Sequence, residues 1–400
     1  MKNESPKYRF DKFNENWIIV KLSDIACHYK TGGTPSTKDP TFWGGAIPWI
    51  QSSDIQKDRL FGVIPQKFIS EEGLQNSTAK LIPKNSIAIV TRVGVGKLAI
   101  IDQDYTTSQD FLSLSDFNGD TQFIAYSIYR MLQKESTQLQ GTSIKGITKE
   151  DLLLKKISLP EIDEQSAIGS LFRTLDDLLS SYKDNLANYQ SLKETMFSKM
   201  FPKAGQTLPE IRLDGFEGDW EIKRADEIFK SVSKKNKASL PVLSASQIDG
   251  MVLRDEIGID IKYDEATLNN YKVVKPGQFV IHLRSFQGGF ALSKLEGITS
   301  PAYTIIDFID KENSLPAFWN SILTSRDFIK RLETVTYGIR DGKSISFKDF
   351  SSLKFVFPEF KEQQAIGSYF SNLGNLIAAH QEKISQLETL KKKLLQDMFI

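Results

Sequence analysis

The 400-residue chain has one cysteine, Cys27, and three scattered histidines, His28, His282 and His380. A lone thiol excludes an intramolecular disulfide framework and any multi-cysteine zinc site, and no H-x-x-x-H pair offers an alternative. No run of about 18 apolar residues occurs, so no membrane-spanning helix is expected. The charged start Met1–Phe10 carries no signal-like apolar stretch either. Charge of one sign is also lacking: 51 Lys and Arg stand against 50 Asp and Glu. That balance argues against gripping a polyanion by bulk charge alone and requires any such cations to be placed locally or supplied by a partner. Apolar residues make up 40% and charged residues 25%, which suffices for globular cores and, at this length, for two or three domains. The expectation is a reduced, soluble, intracellular protein.

Catalytic signatures are missing too. Thr91–Leu98 superficially suggests a phosphate loop, yet Thr91 stands where the first glycine belongs and Leu98 where Ser or Thr should follow Lys97. Glu221-Ile222-Lys223 and Glu359-Phe360-Lys361 satisfy the E-x-K half of a nuclease motif. The first, however, falls opposite Ile18-Ile19-Val20 in the repeat described next, and the second opens a helix. There is no Asn-Pro-Pro-aromatic run and no G-x-S-x-G elbow. No catalytic residue and no metal ligand is assigned.

What the chain does have is an internal repeat. Residues 159–201 match residues 357–399 without a gap at a constant offset of 198, through Pro160/Pro358, Glu164/Glu362, Gln165/Gln363, the Ala-Ile-Gly-Ser runs from Ala167 and Ala365, and Met200-Phe201/Met398-Phe399. A weaker repeat aligns Phe10–Trp17 with Leu213–Trp220, and Ile147–Leu152 with Ile345–Phe350. Between these anchors the halves diverge, giving a variable–constant–variable–constant order. In the constant segments, a stripe recurs at gaps of three and four: Ile168, Leu171, Leu175, Leu178, Tyr182, Leu186, Tyr189, Leu192 and Met196, then Ile366, Tyr369, Leu373, Leu376, His380, Ile384, Leu387, Leu390 and Leu394. That period predicts two long helices packed on each other as an antiparallel, coiled-coil-like pair, each reaching roughly 60 Å if unbroken. His380 takes the slot of Tyr182 and reads as a packed residue.

The variable segments mix strand-like runs (Ile87–Val90, Leu98–Ile101, and a strand region near Val273–Leu283) with helices near Phe123–Gln138 and Pro316–Glu333. Each is about 140 residues, enough for one mixed α/β domain. The expected division is therefore 1–155, a helical segment 156–205, a second domain 206–355 and a helical segment 356–400, an α+β fold with a pseudo-twofold repeat.

Several glycine loops carry small polar residues and cations beside aromatics: Lys30, Thr31, Thr34 and Ser36 ahead of Trp43 and Trp49; Arg92 and Lys97; and in the second half Arg284, Ser285 and Gln287. Lys145, Arg340 and Lys343 repeat the theme near the domain ends. Glycine permits close approach of a backbone, while Arg, Lys, Gln and Ser contact base edges or phosphates. A β-turn with solvated cations fits the same residues, though two matched arginine loops draw the readings level. Lys234, Lys235 and Lys237 read chiefly as a solvated loop, with phosphate contact the lesser reading.

The arrangement resembles the specificity subunit of type I restriction–modification systems over nearly the whole chain. The resemblance rests on Trp17 with Leu22-Ser23-Asp24-Ile25, Thr31-Gly32-Gly33-Thr34-Pro35-Ser36, the Pro-Glu…Glu-Gln-x-x-Ile starts at Pro160 and Pro358, and the Phe-x-x-Met-Phe end at Phe197. The second copy departs with Leu395 in place of that phenylalanine and has no Gly-Gly-Thr-Pro-Ser loop after Phe229. The resemblance implies two target-recognition domains reading a split double-stranded DNA sequence, separated by two long antiparallel helices that also dock two methyltransferase subunits. It implies no cofactor in this chain. S-adenosylmethionine would belong to the methyltransferases, and ATP and Mg²⁺ to restriction/translocase subunits. A self-contained methyltransferase or nuclease, and a coiled-coil adaptor without DNA binding, remain the alternatives.

Overall fold

The computed structural model describes residues 6–138, 146–203, 205–246, 249–257, 265–282, 289–335 and 346–400. Two compact units emerge, unit 1 from Met1–Asn185 with His380–Ile400 and unit 2 from Leu186–Ala379.

Unit 1 opens with strand β1 (Ile18–Lys21), and a helical turn, Leu22–Ile25, leads to β2 (Ala26–Thr31). Then come β3 (Trp43–Ile50), β4 (Ser86–Val90), β5 (Leu98–Ile101), β6 (Phe111–Phe117), helix α1 (Thr121–Gln138), β7 (Lys156–Leu159) and the long helix α2, Ile162–Met200. Strands β2, β6, β4 and β5 form one antiparallel sheet in that order, and β1 pairs with β7 as a separate ribbon. β4 and β5 are buried at every position, which is why they read as continuous apolar runs rather than alternating ones. The α1 face carrying Phe123, Tyr126 and Ile128 covers the sheet.

Unit 2 repeats the plan with β8 (Glu221–Arg224), β9 (Phe229–Val232), β10 (Phe279–Ile281), β11 (Phe290–Leu292), β12 (Thr304–Phe308), helices α3 (Pro316–Leu323) and α4 (Arg326–Val335), β13 (Lys354–Phe357) and the long helix α5, Phe360–Asp397. Its sheet runs β9-β12-β10-β11, and β8 pairs with β13. Two expectations change here. The strand region near Val273–Leu283 is two strands, Lys272–Val274 and β10, because Gly277 turns the chain at φ 85° and donates to the Ser293 carbonyl. The helix near Pro316–Glu333 breaks after Leu323, since the Ser325 hydroxyl accepts from the Phe328 amide and starts a new helix.

The repeated motifs have structural work in both units. Arg9 makes a two-pronged pair with the fully buried Glu164 (2.8 and 2.7 Å), and Arg212 does the same with Glu362 (2.8 and 2.7 Å). Each latch ties the segment before the tryptophan to the start of a long helix. Hydrogen bonding to the carboxylate holds both guanidinium groups above their ordinary pKa. Gln165 donates to the Pro160 carbonyl and accepts from the Asp120 amide near the α1 start; Gln363 donates to Pro358 and accepts from Leu315 before α3. Gly169 is required because a Cβ there would sit 2.9 Å from the Phe123 nitrogen.

The ring clusters are duplicated as well. Phe123 packs on Trp17 and Phe399, and Phe172 packs on Phe399 (5.2–5.7 Å). In unit 2, Phe201 packs on Trp220, Phe318 and Phe370 (5.8–6.2 Å). In unit 1 the helix halves run antiparallel: Phe172, Asp176 and Tyr182 meet Phe399, Lys391 and His380. The Met-Phe pair that ends α2 thus completes unit 2, and the one that follows α5 completes unit 1.

Candidate nucleic-acid interface

In unit 1 the sheet register gathers the glycine loops at one end. Thr31 at the end of β2 lies opposite Leu112, Val90 at the end of β4 opposite Phe111, and Ile89 opposite Leu98. The loops leaving Thr31, Val90 and Ile50 and the turn entering Phe111 therefore converge. Thr34 donates from its hydroxyl to the Gln109 side chain (2.6 Å), the Thr91 amide to the Asp110 carbonyl (2.7 Å), and the Ser108 amide to the Ile50 carbonyl (2.9 Å).

The Thr31–Ser36 loop is held by the protein itself. A Cβ on Gly32 would lie 2.2 Å from the Ser108 carbonyl oxygen, and one on Gly33 equally close to that of Thr78. The close approach that the two glycines permit is to neighbouring backbone. Trp49 donates its indole N–H to the Gly33 carbonyl and Trp43 to that of Ser36 (3.0 Å each). Lys67 lies over both rings, 5.9 Å from Trp43 and 5.6 Å from Trp49, a contact with no sequence signal beyond the two aromatics.

The candidate side chains divide by what they touch. Lys30 donates to the Leu81 carbonyl (2.8 Å) and Lys97 to that of Ser52 (3.3 Å), so both brace loops. Arg92 is exposed and has no hydrogen bond or ion pair among the described residues, while Thr31 and Ser36 are also exposed. Gly94 and Gly96 take φ of 89° and 95°, conformations that disfavour other residues and present Arg92 on a tight hairpin. Beside that hairpin is a cleft lined by Gln56, Lys57, Asp58, Tyr129 and Gln133. Tyr129 donates to Asp58 there, and burial, with that carboxylate's help, pushes its hydroxyl above the ordinary tyrosine range. The Ile147 amide donates to the Thr91 carbonyl (2.8 Å), bringing the chain beside Gly146 to the same end. Lys145 lies outside the described residues.

In unit 2, Val232 at the end of β9 lies opposite Ile305, and Ile281 at the end of β10 faces both Thr304 and Phe290. The loop at the end equivalent to Thr31–Ser36 carries Lys234, Lys235 and Lys237, all exposed. Its backbone is fixed: the Lys234 carbonyl accepts from Val273 (2.7 Å), and Asn236, at φ 62°, donates to Asn269 (3.1 Å). Lys272 donates to the Tyr303 carbonyl (2.6 Å); burial first, and the charge of Lys235 second, hold its ammonium below the usual lysine range. The lysine cluster read from sequence as a solvated loop thus occupies the place taken in unit 1 by the threonine–glycine loop. Arg284, Ser285, Gln287, Arg340 and Lys343 lie outside the described residues.

The helical positions also divide. Ile168, Leu175, Ile366, Leu373 and Leu387 are buried as expected, with Phe172 and Leu179 completing the unit 1 seam, and Leu171 is half-buried against it. Leu178, Leu192, Leu376 and Leu390 are instead 40–44% exposed. Gaps of three and four fix a stripe only to within a residue, and in unit 1 the seam follows Phe172 and Leu179, one position beyond Leu171 and Leu178. The exposed leucines come in repeat-related pairs, Leu178/Leu376 and Leu192/Leu390, so each unit displays one from each long helix.

Glu221 pairs with Lys223 within β8 (2.9 Å). Among the described residues no cluster of His, Cys, Asp or Glu could hold a metal ion, and no helix is long and apolar enough to cross a membrane.

Comparison with known proteins places this geometry in context. The profile of one family, described as the type I restriction modification DNA specificity domain, matches residues 14–188 and again 217–389. The type I restriction enzyme MjaIX specificity subunit of Methanocaldococcus jannaschii is 26% identical over 238 residues, 56% of this chain and 54% of that protein. The EcoR124I/EcoR124II specificity subunit of Escherichia coli is 30% identical over 211 residues, 48% of this chain and 50% of that protein. These two alignments span about half the length of each relative. The MjaVIII specificity subunit of M. jannaschii is 23% identical over 406 residues, covering 95% of this chain and 91% of that protein. In fold, the chain is similar to the crystal structure of a type I restriction–modification S subunit from M. genitalium, with a TM-score of 0.67, 15% identity and 99% of each chain covered.

Proposed function

The chain belongs to the type I restriction–modification DNA specificity family, and from that premise we propose that it is the subunit that reads a bipartite DNA target and recruits the enzymes acting there. The observation that carries this reading is the repeated sheet with unlike loops at one end. A common scaffold presents Arg92 and the threonine–glycine loop in unit 1 and a lysine loop in unit 2. Two readers of unlike surface specify a non-palindromic pair of half-sites. The long helices, of 39 and 38 residues, would set the interval between the half-sites. The repeated exposed leucines would seat two methyltransferase subunits.

In this reading the chain itself is non-catalytic. S-adenosylmethionine belongs to the methyltransferase partners, and ATP and Mg²⁺ to restriction/translocase subunits. The complex works in the cytoplasm, where it meets DNA, and the partners supply part of the phosphate neutralisation that a chain of net charge +1 does not. The deciding experiment maps methylated adenines in a genome with and without this chain, in cells expressing its methyltransferase partner. A split motif should be methylated only when the chain is present, and exchanging residues 11–155 for another such domain should change one half of it. Methylation indifferent to the chain would refute the proposal.

A further inference from the structure

The two small ribbons, β1 with β7 and β8 with β13, have an outer face that the reading loops do not explain. Directly opposed residues of an antiparallel pair share a face. In unit 1 that face bears Ile19 opposite Ser158 and Lys21 opposite Lys156; in unit 2 it bears Ile222 opposite Val356 and Arg224 opposite Lys354. Ile19 is 69% and Ile222 53% exposed, and all four cations are exposed. Like charges placed directly across a ribbon destabilise it, yet both repeats place them there. Arg224 finds relief at Asp226 (2.9 Å), whereas Lys21, Lys156 and Lys354 have no ion-pair partner among the described residues. An exposed isoleucine beside two opposed cations, twice over, is a surface suited to an acidic group flanked by apolar side chains.

The position of the ribbons separates DNA from protein as the occupant. Lys21 joins the start of β2 through the turn Leu22–Ile25, while the candidate reading loop leaves the other end of that six-residue strand, roughly 20 Å away. Arg224 likewise joins the start of β9 through the turn Ala225–Ile228, and the lysine loop leaves the other end of that four-residue strand, roughly 13 Å away. The patch therefore lies away from the end assigned to the duplex. Its repetition on two otherwise divergent units calls for one ligand bound twice. We propose that each ribbon docks an acidic, apolar-flanked segment of one copy of the methyltransferase partner. This inference rests on the proposed function and adds a second contact to the exposed leucines of the long helices.

The test is native mass spectrometry of the full chain co-purified with that methyltransferase, together with duplex binding by the same complex. Three variants are compared: Lys21→Glu with Lys156→Gln, Arg224→Glu with Lys354→Gln, and all four changes together. The first two should each retain one partner copy and the last none, or at least a tenfold weaker second association. Lys21→Glu with Lys156→Gln relieves like-charge repulsion, so its melting temperature should hold or rise, which separates lost docking from misfolding. For the unit 2 variant, which gives up the exposed Arg224–Asp226 pair, an unchanged far-ultraviolet circular dichroism spectrum makes the same separation. Ile19→Ser and Ile222→Ser, tested separately, should weaken the same copies. Two copies retained by every variant would overturn the proposal while leaving the proposed function standing. Loss of duplex affinity with two copies retained would make the patch a phosphate contact and overturn it equally. Failure of the unaltered chain to bind any methyltransferase would overturn both.

Discussion

Units 1 and 2 share a sheet order, an arginine–glutamate latch and a ring cluster, but they are closed by different chemistry. In unit 1 the buried Lys391 pairs with Asp176, which also accepts from the Tyr126 hydroxyl (2.6 Å), and Lys391 donates to the Asp58 carbonyl (3.3 Å). Burial, reinforced by Asp176, pushes the Tyr126 hydroxyl well above its usual pKa. The repeat-related positions in unit 2 are Lys193, which is exposed, and Gly374, where a Cβ would touch nothing. There the core is closed by rings instead, with Trp319 packed on Phe229, Phe355 and Phe357 (5.2–5.4 Å). A duplicated helix has thus kept its lysine while only one copy has a buried acid to receive it. Breaking a buried pair from one side strands the other charge, so the two units should respond unequally to matched changes.

The largest expected effect follows from that inequality. Asp176→Ala should destabilise unit 1 by about 3–5 kcal/mol, because the Lys391 ammonium stays buried without its counter-charge. Lys193→Ala should change stability by no more than about 0.5 kcal/mol. Urea unfolding checks this if read separately through Trp17, Trp43 and Trp49 in unit 1 and Trp220 and Trp319 in unit 2. Equal losses in both units would break the comparison.

The latches should behave alike, which sharpens the contrast. Arg9→Ala and Arg212→Ala each leave a fully buried glutamate without its guanidinium, and each should cost about 3 kcal/mol in its own unit. Thermal unfolding of the two variants side by side measures the match. A difference of more than about 1 kcal/mol would show that the duplicated latch is not energetically duplicated.

The duplicated parts were the legible ones. A gapless match over the constant segments and a three–four spacing were enough for two long helices, their antiparallel packing and a packed His380, though not for its contact with Tyr182. The latch was not legible, because Arg9 and Arg212 lie just outside the aligned tryptophan segments and nothing local pairs them with acids some 150 residues away. The exchange of helix ends between units was also hidden, since Met200-Phe201 and Met398-Phe399 look identical whichever unit they complete. At the interface, sequence singled out the glycine loops but not their convergence, which is a property of strand register. It gave Lys30 and Lys97 the same standing as Arg92, although only their distant carbonyl partners distinguish a brace from a free side chain. Lys234, Lys235 and Lys237 read chiefly as a solvated loop, and only the equivalence of β9 with β2 places them at the end that carries the threonine–glycine loop in unit 1.

Base readout is the next effect in size. Arg92→Ala should lower discrimination at one half-site by about 1–3 kcal/mol and leave the other unchanged. Lys97→Ala, which removes a brace to Ser52, should weaken the same half-site only indirectly and also lower the unit 1 melting temperature. Binding selection on randomised duplex, with the methyltransferase present, reads both variants. Unchanged selectivity for Arg92→Ala would remove that hairpin from the readout.

The smallest effect belongs to the lysine loop of unit 2, and its signature is salt rather than sequence. Lys234, Lys235 and Lys237 extend from a backbone already fixed by Val273 and Asn269, so little ordering is needed on contact with a phosphate. Each such contact contributes one neutralised charge, and its removal should reduce the slope of log affinity against log salt by about 0.9. Lys235→Ala should therefore weaken all duplexes alike, by less than about 1 kcal/mol near physiological salt. It should also let the Lys272 ammonium titrate higher, because one of the two influences holding it down is gone. A sequence-dependent loss would make Lys235 a base reader and bring unit 2 closer to unit 1 in kind. No change in slope would return the cluster to the solvated loop that composition alone suggests.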